Sequence, residues 1–231
     1  MAKPRQAGEE APRFYFYKMT VDNGGAPCSQ KGLLSLAICK PTIRRTAPEG
    51  SIIIGFAGEE MKSEGYKDNS IVYAAEITRT LKPGKASEPS EYYSKRIYAA
   101  RPDCIYKRLG RRLVRKRKAL FHDEGDREHD VGKYPDYKNS TVLLSEGARN
   151  FRYFGKLCPV QYKNEFPLLK EEVESLARGH RVNHSAKLYE ELRRLKKRLW
   201  KERSCFSHTP VPAKPDSRCD WDDYAVECDG R

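Results

Sequence analysis

The chain has 231 residues, 38% hydrophobic and 10% aromatic, which excludes a disordered polymer and allows one sizeable core. Forty-five lysines and arginines against 32 acids leave a formal net charge of +13, which favours an anionic partner: nucleic acid first, an anionic membrane surface second. No apolar run approaches the ~18 residues of a membrane span. The N-terminal MAKPRQAGEEAPR lacks the apolar core of a leader, and the seven cysteines form no CxxC pair. The expectation is a cytoplasmic protein with reduced thiols and no membrane association.

Residues 1–13 read as a flexible tail, 14–203 as a single domain, and 204–231 as a C-terminal tail. FYFYKMTV (14–21), aromatic and β-branched, predicts a strand that ends in the turn-forming DNGGAP (22–27). GLLSLAICK (32–40) is apolar and stops at Pro41; its length allows a strand or a short helix. SIIIGFA (51–57) and NSIVYAAEIT (69–78) are predicted buried strands, and EYYSKRIY (91–98) a short helix. IYKRLGRRLVRKRKAL (105–120) carries eight Lys or Arg and no acid. Without a partner it would be a solvated helix face or a disordered run. Residues 122–140 read as polar loop, TVLLS (141–145) as a short strand, and FRYFG (151–155) as an aromatic cluster beside it.

Two helices close the pattern. Pro167 suits a first helical turn, with Leu168, Leu169, Val173 and Leu176 on one face and Gly179 as the stop, where His180 could cap. HSAKLYEELRRLKKRLWKER (184–203) repeats Leu188, Leu192, Leu195 and Leu199 at helical spacing. Short strands followed by C-terminal helices give an α+β class: a small, curved sheet or open β-barrel with helices packed around it.

Several pieces, taken in order, resemble one family. They are Asp22-Asn23-Gly24 with Ala26-Pro27, Cys39-Lys40-Pro41 with Ile43-Arg44, SIVYAAEIT, and VLLS followed by YFG and LARGHRV. From about Phe14 to about Leu199 the chain resembles the nucleotide-modification-associated domain of the second type, found in phages and bacteria beside genes for modified DNA bases. It departs from that pattern in the basic 107–118 and in the C-terminal tail. A more distant similarity is to the PUA-like superfamily (EVE, ASCH and YTH domains), which holds a single, often modified, base in a pocket. The resemblance implies a PUA-like domain that recognises a modified nucleobase, in DNA rather than RNA, in the host cytoplasm or at the nucleoid. Partner proteins of a modification or defence system are possible companions.

A flipped base needs planar walls and a few groups aimed at its edge. The expected pocket joins Tyr15, Tyr17 and Phe56 as stacking walls, Asp22 and Asn23 as edge readers, and Gly58 at the strand end. Arg44 and Arg45 are expected to hold flanking phosphates. Lys107, Arg108, Arg111, Arg112 and Arg115 are expected to add salt-sensitive contacts. By residues alone the Asp22 loop reads first as a turn satisfying its own backbone, with Arg44 and Arg45 a solvated pair; the resemblance favours the pocket. The aromatics of FRYFG with Tyr162 could stack bases but suit a core as well.

The rival expectation is an enzyme acting on a modified base or nucleotide, with Asp22 or the pairs His122-Asp123 and His129-Asp130 as acid and base. A structural role in a modification complex is a third. Cys205, His208, Cys219 and Cys228 lack the paired spacing of a zinc site. Neither metal nor cofactor is expected, and no nucleotide-loop, serine-hydrolase or deaminase motif occurs.

Overall fold

A computed structural model describes residues 11–84, 88–116, 122 and 124–203. The strands are β1 (Phe14–Met19), β2 (Cys28–Gln30) and β3 (Leu33–Leu36), then helix α1 (Pro41–Thr46). Strands β4 (Ile52–Ala57), β5 (Ile71–Glu76) and β6 (Arg79–Leu81) precede helix α2 (Arg96–Ala99). A hairpin of β7 (Tyr106–Leu109) and β8 (Arg112–Arg115) leads to α3 (Arg127–Val131), then β9 (Val142–Glu146) and β10 (Phe151–Tyr153). Helices α4 (Tyr162–Glu165) and α5 (Pro167–Glu174), the short strand β11 (His180–Arg181) and α6 (Ala186–Leu199) complete the order.

The central layer is a five-stranded sheet, β10-β5-β4-β1-β11, in which β1 runs parallel to β4 and the other pairings are antiparallel. Its strands read as continuous apolar runs because both faces are covered. Phe14, Phe16, Ile52, Ile54 and Phe56 pack against the leucine faces of α5 and α6. Tyr15, Tyr17, Met19, Ile53 and Ala57 meet Leu34, Leu36, Ile43 and Leu143 on the other side. Those residues come from a second sheet, β2-β3-β9-β6, and from α1. Beyond it, Tyr106, Leu113, Val131 and Tyr137 join the β7–β8 hairpin and α3 to a third cluster. The result is a mixed α+β domain of stacked layers; among the described residues no sheet closes into a barrel.

Helix α6 forms because Leu188, Leu192, Leu195 and Leu199 line one side, each worth about 2 kcal/mol on burial. Ser185 caps it by accepting from the Leu188 amide at 3.2 Å. Its buried Glu191 accepts from the Leu168 and Leu169 amides, so one helix caps the start of another.

Four segments differ from expectation. GLLSLAICK is a strand only to Leu36, and the arginine-bearing stretch after it, beyond Cys39 and Lys40, forms helix α1. Residues 91–98 split into a 3-10 turn at Glu91–Tyr93 and the single turn of α2. Residues 106–115 of the basic run form a β-hairpin, with Tyr106 and Leu113 turned inward and Gly110 at φ 59° making the turn. His180 lies in β11, paired with Tyr17, instead of capping a helix.

Candidate functional site

The chain leaves β3 through the buried Ala37 and Ile38 and then turns sharply. Cys39 and Lys40 both take left-handed backbone conformations, φ 56° and 44°, before Pro41 starts α1. Two successive non-glycine residues in that region cost of order 1–2 kcal/mol each and need external support. The Cys39 amide donates to Asp130 Oδ1 at 3.0 Å, and its carbonyl accepts from Arg44 Nε at 2.7 Å. The strained peptide is thus held from both ends.

This turn presents the Cys39 sulfur to His122, Sγ to Nε2 2.9 Å. On the far side of the ring, Nδ1 lies 2.8 Å from Asp130 Oδ2, which also accepts from the Tyr106 hydroxyl at 2.9 Å. A carboxylate can only accept, so Nδ1 carries a proton and Nε2 is the nitrogen that exchanges one with sulfur. Asp130 is fully buried, His122 nearly so, and Cys39 is half-buried. Thiol, imidazole and carboxylate follow one another from the surface inward, the order of an activated cysteine nucleophile with an oriented base.

The electrostatics match this order. Burial works against charge on His122, but hydrogen bonds to Asp130 and Cys39 outweigh it and push its pKa up to about 10. Burial likewise opposes the Asp130 carboxylate, yet the His122, Cys39 and Tyr106 donors hold it below the usual range. Burial lowers the neighbouring Lys40, partly offset by Cys39. Its Nζ sits 4.7 Å over the Tyr17 ring.

The three donor atoms lie within 4.8 Å of one another. A tetrahedral zinc would hold its sulfur and nitrogen ligands about 3.5 Å apart. Here Sγ and Nε2 are closer than that, and the carboxylate binds the opposite ring nitrogen. The cluster is arranged as a relay rather than a chelate.

Arg44 is the strut beneath it. Fully buried, its guanidinium donates to the carbonyls of Cys39, Asn139, Thr141 and Asp130. The structure therefore puts Arg44 inside as a backbone clamp, where sequence reasoning set it outside on a phosphate. Arg45 is exposed and donates to the Asn139 side chain.

The residues expected to wall a base pocket are mostly interior. Tyr15 is buried, donates to the Thr46 carbonyl at 2.7 Å and stacks with His180. Tyr17 is buried with its hydroxyl 2.9 Å from that of Tyr73. Phe56 is buried, edge-on to Phe16 and Tyr162. Asp22 accepts from the hydroxyls of Tyr66 and Tyr153, while Asn23 accepts from the Gly25 amide at 3.0 Å, the self-satisfied turn. At Gly58 a Cβ would fall 2.4 Å from the Met19 carbonyl, so this glycine serves the close approach of two chain segments. Phe151, Tyr153, Phe154 and Tyr162 of the aromatic cluster are core. Lys107, Arg108, Arg111 and Arg112 are exposed on the hairpin, and Arg115 donates to the His122 carbonyl.

Of the acid–base candidates, the structure brings His122 together with Asp130. His129 is exposed on α3, and Asp123 lies outside the described residues, as do Cys205, His208, Cys219 and Cys228. Cys39 is the member of this cluster that sequence reasoning did not single out as a site residue. The available signal was a lone cysteine just before a Lys-Pro helix start, in a chain with two His-Asp pairs.

The family model for nucleotide modification associated domain 2 matches residues 11–213, and the chain belongs to that family. No curated protein and no solved structure matches.

Proposed function

We propose that this member of the nucleotide modification associated domain 2 family is an enzyme that acts on a nucleobase or nucleotide through Cys39. The observation that carries this reading is the unbroken relay from Cys39 Sγ through His122 to Asp130. At neutral pH His122 holds a proton on both nitrogens, the Nε2 proton having come from the thiol, so the sulfur faces an imidazolium. The thiolate adds to an electrophilic carbon of the base, and His122 Nε2 gives its proton to the adduct or to a departing group. Asp130 keeps the ring oriented, and Tyr106 and the Cys39 amide keep Asp130 in place.

The test is alkylation of the folded chain with iodoacetamide at neutral pH, read peptide by peptide. Among the described cysteines, Cys39 should react first, since Cys28 and Cys104 are buried and burial raises Cys158 to about 11. His122→Gln should slow Cys39 at least about tenfold, because it removes the imidazolium that favours the thiolate. Equal rates in both proteins would sink the relay. Incubation with nucleotides and oligonucleotides should then yield a base-derived mass change that Cys39→Ser abolishes.

A second reading, capture of a modified base without turnover, draws on the exposed cations of the β7–β8 hairpin. It differs in one outcome: base-selective binding would persist in Cys39→Ser with no product formed.

A further inference from the structure

Between β8 and the segment from α3 to Tyr137 lies a cleft of about 200 Å³. Arg112, Arg127, Glu128, Lys133, Tyr134 and Tyr137 line it with Leu113 and Gly132. Three cations face one acid. The Arg112 guanidinium lies 5.4 Å from the centre of the Tyr134 ring, and that ring is 44% exposed at the rim. Tyr137 is buried beneath it, edge-on at 5.9 Å, with its hydroxyl accepting from the Leu113 amide at 2.8 Å. A firm floor thus carries a half-exposed aromatic ring, with Arg112 over it and further cations at the edge.

We infer that this cleft seats a nucleotide unit of a single-stranded nucleic acid, so that the substrate is a polymer rather than a free nucleotide. Stacking on an exposed tyrosine beside guanidinium and ammonium groups is the chemistry of sequence-tolerant single-strand binding. An acidic peptide would use the cations and leave the ring idle. The cleft is smaller than the roughly 300 Å³ at which drug-sized ligand sites begin, which suits one base and its phosphate. A base stacked and paired within a duplex has no free face to lay on the ring. Lys107, Arg108 and Arg111 extend the cationic track along the hairpin, with Leu109 65% exposed at the turn.

The inference rests on the proposed chemistry only for its purpose, because hairpin and relay are physically joined. At one root of the hairpin Tyr106 donates to Asp130; at the other Arg115 donates to the His122 carbonyl. Helix α3 carries Asp130 toward the thiol and offers Arg127 and Glu128 to the cleft. A strand held here lies against the helix that positions the relay.

The experiment measures fluorescence anisotropy of a short labelled single-stranded oligodeoxynucleotide over a salt series, on the full chain and on Cys39→Ser. Tyr134→Ala should weaken binding about tenfold at every salt concentration. Arg112→Ala with Lys133→Ala should lower the slope of log affinity against log salt by about 1.4, two released counterions at ~0.7 each. A mononucleotide should not displace the oligomer. Parent-like binding by these surface variants would overturn the inference, as would displacement by a mononucleotide or equally tight, equally sensitive duplex binding. Binding that survives in Cys39→Ser while Cys39 proves unreactive would remove the proposed chemistry and leave the cleft standing; reactive Cys39 with variant-insensitive binding would do the reverse.

Discussion

Replacing Arg44 by methionine tests the claim that this residue holds the site's backbone and does not contact a ligand. Its guanidinium makes four hydrogen bonds to carbonyls in three separate stretches of chain, with no solvent exposure. Charge-assisted bonds of this kind contribute about 1.5–3 kcal/mol each, so the gross loss is large. Removing a buried cation also relieves its desolvation, while each buried carbonyl left unpaired costs about 1–3 kcal/mol, so a net loss of about 3–5 kcal/mol is expected. Against a usual stability of ~5–15 kcal/mol that is a substantial share. At roughly 2–4 °C per kcal/mol the melting temperature should fall by about 10 °C. Arg45→Met, next in sequence but exposed, should cost under about 1 kcal/mol. Urea unfolding of both variants supplies the measurement. If Arg44→Met lost less than about 1 kcal/mol, or no more than Arg45→Met, the clamp argument would be wrong.

Other outcomes follow from the same structure. The pKa of His122 is raised in the folded state from 6.5 to about 10, so its stabilising contribution is complete below the lower value and disappears as pH climbs through the higher. The melting-temperature advantage of the parent over His122→Gln should therefore shrink with rising pH in that window; a constant gap would contradict it. Gly55→Ala places a Cβ 2.4 Å from the Tyr73 ring and 2.7 Å from the Met19 sulfur, and should cost about 1–3 kcal/mol by overpacking in a urea titration. Glu191→Ala strips the cap from the start of α5 and should lose about 1 kcal/mol. Hydrogen exchange at the Leu169 amide should quicken in step, whereas a purely global loss of stability would spare no amide preferentially.

What the sequence disclosed divides along physical lines. The strands FYFYKM and IIIGFA were legible because burial on both faces writes an unbroken apolar run. The leucines of α6 were legible because a helix against a sheet writes its period. The hairpin of residues 106–115 was not, since residues 107–112 all face solvent and charge carries no period of its own. Arg44 and Arg45 look like one cationic pair in sequence, yet a helix turns successive side chains about 100° apart, and α1 buries the first while exposing the second. The relay was half legible. His122 and Asp130 were both candidates, but each was matched with its sequence neighbour. The hydrogen-bonded partner of His122 lies eight residues away, and the thiol 83 residues away, distances that the packing of α3 beside α1 closes.

Strands β1 and β4 run side by side in the same direction, so the chain must cross over between them. That crossover holds β2, β3, Cys39 and α1. The thiol is therefore carried by the connection that completes the central sheet, and not by an appended loop that a descendant could shorten or exchange. Substitutions there are judged twice, once by whether the sheet forms and once by whether the sulfur meets its base. Diversification of this protein should concentrate at the exposed end of the hairpin, residues 107–112, where substitution costs the fold little.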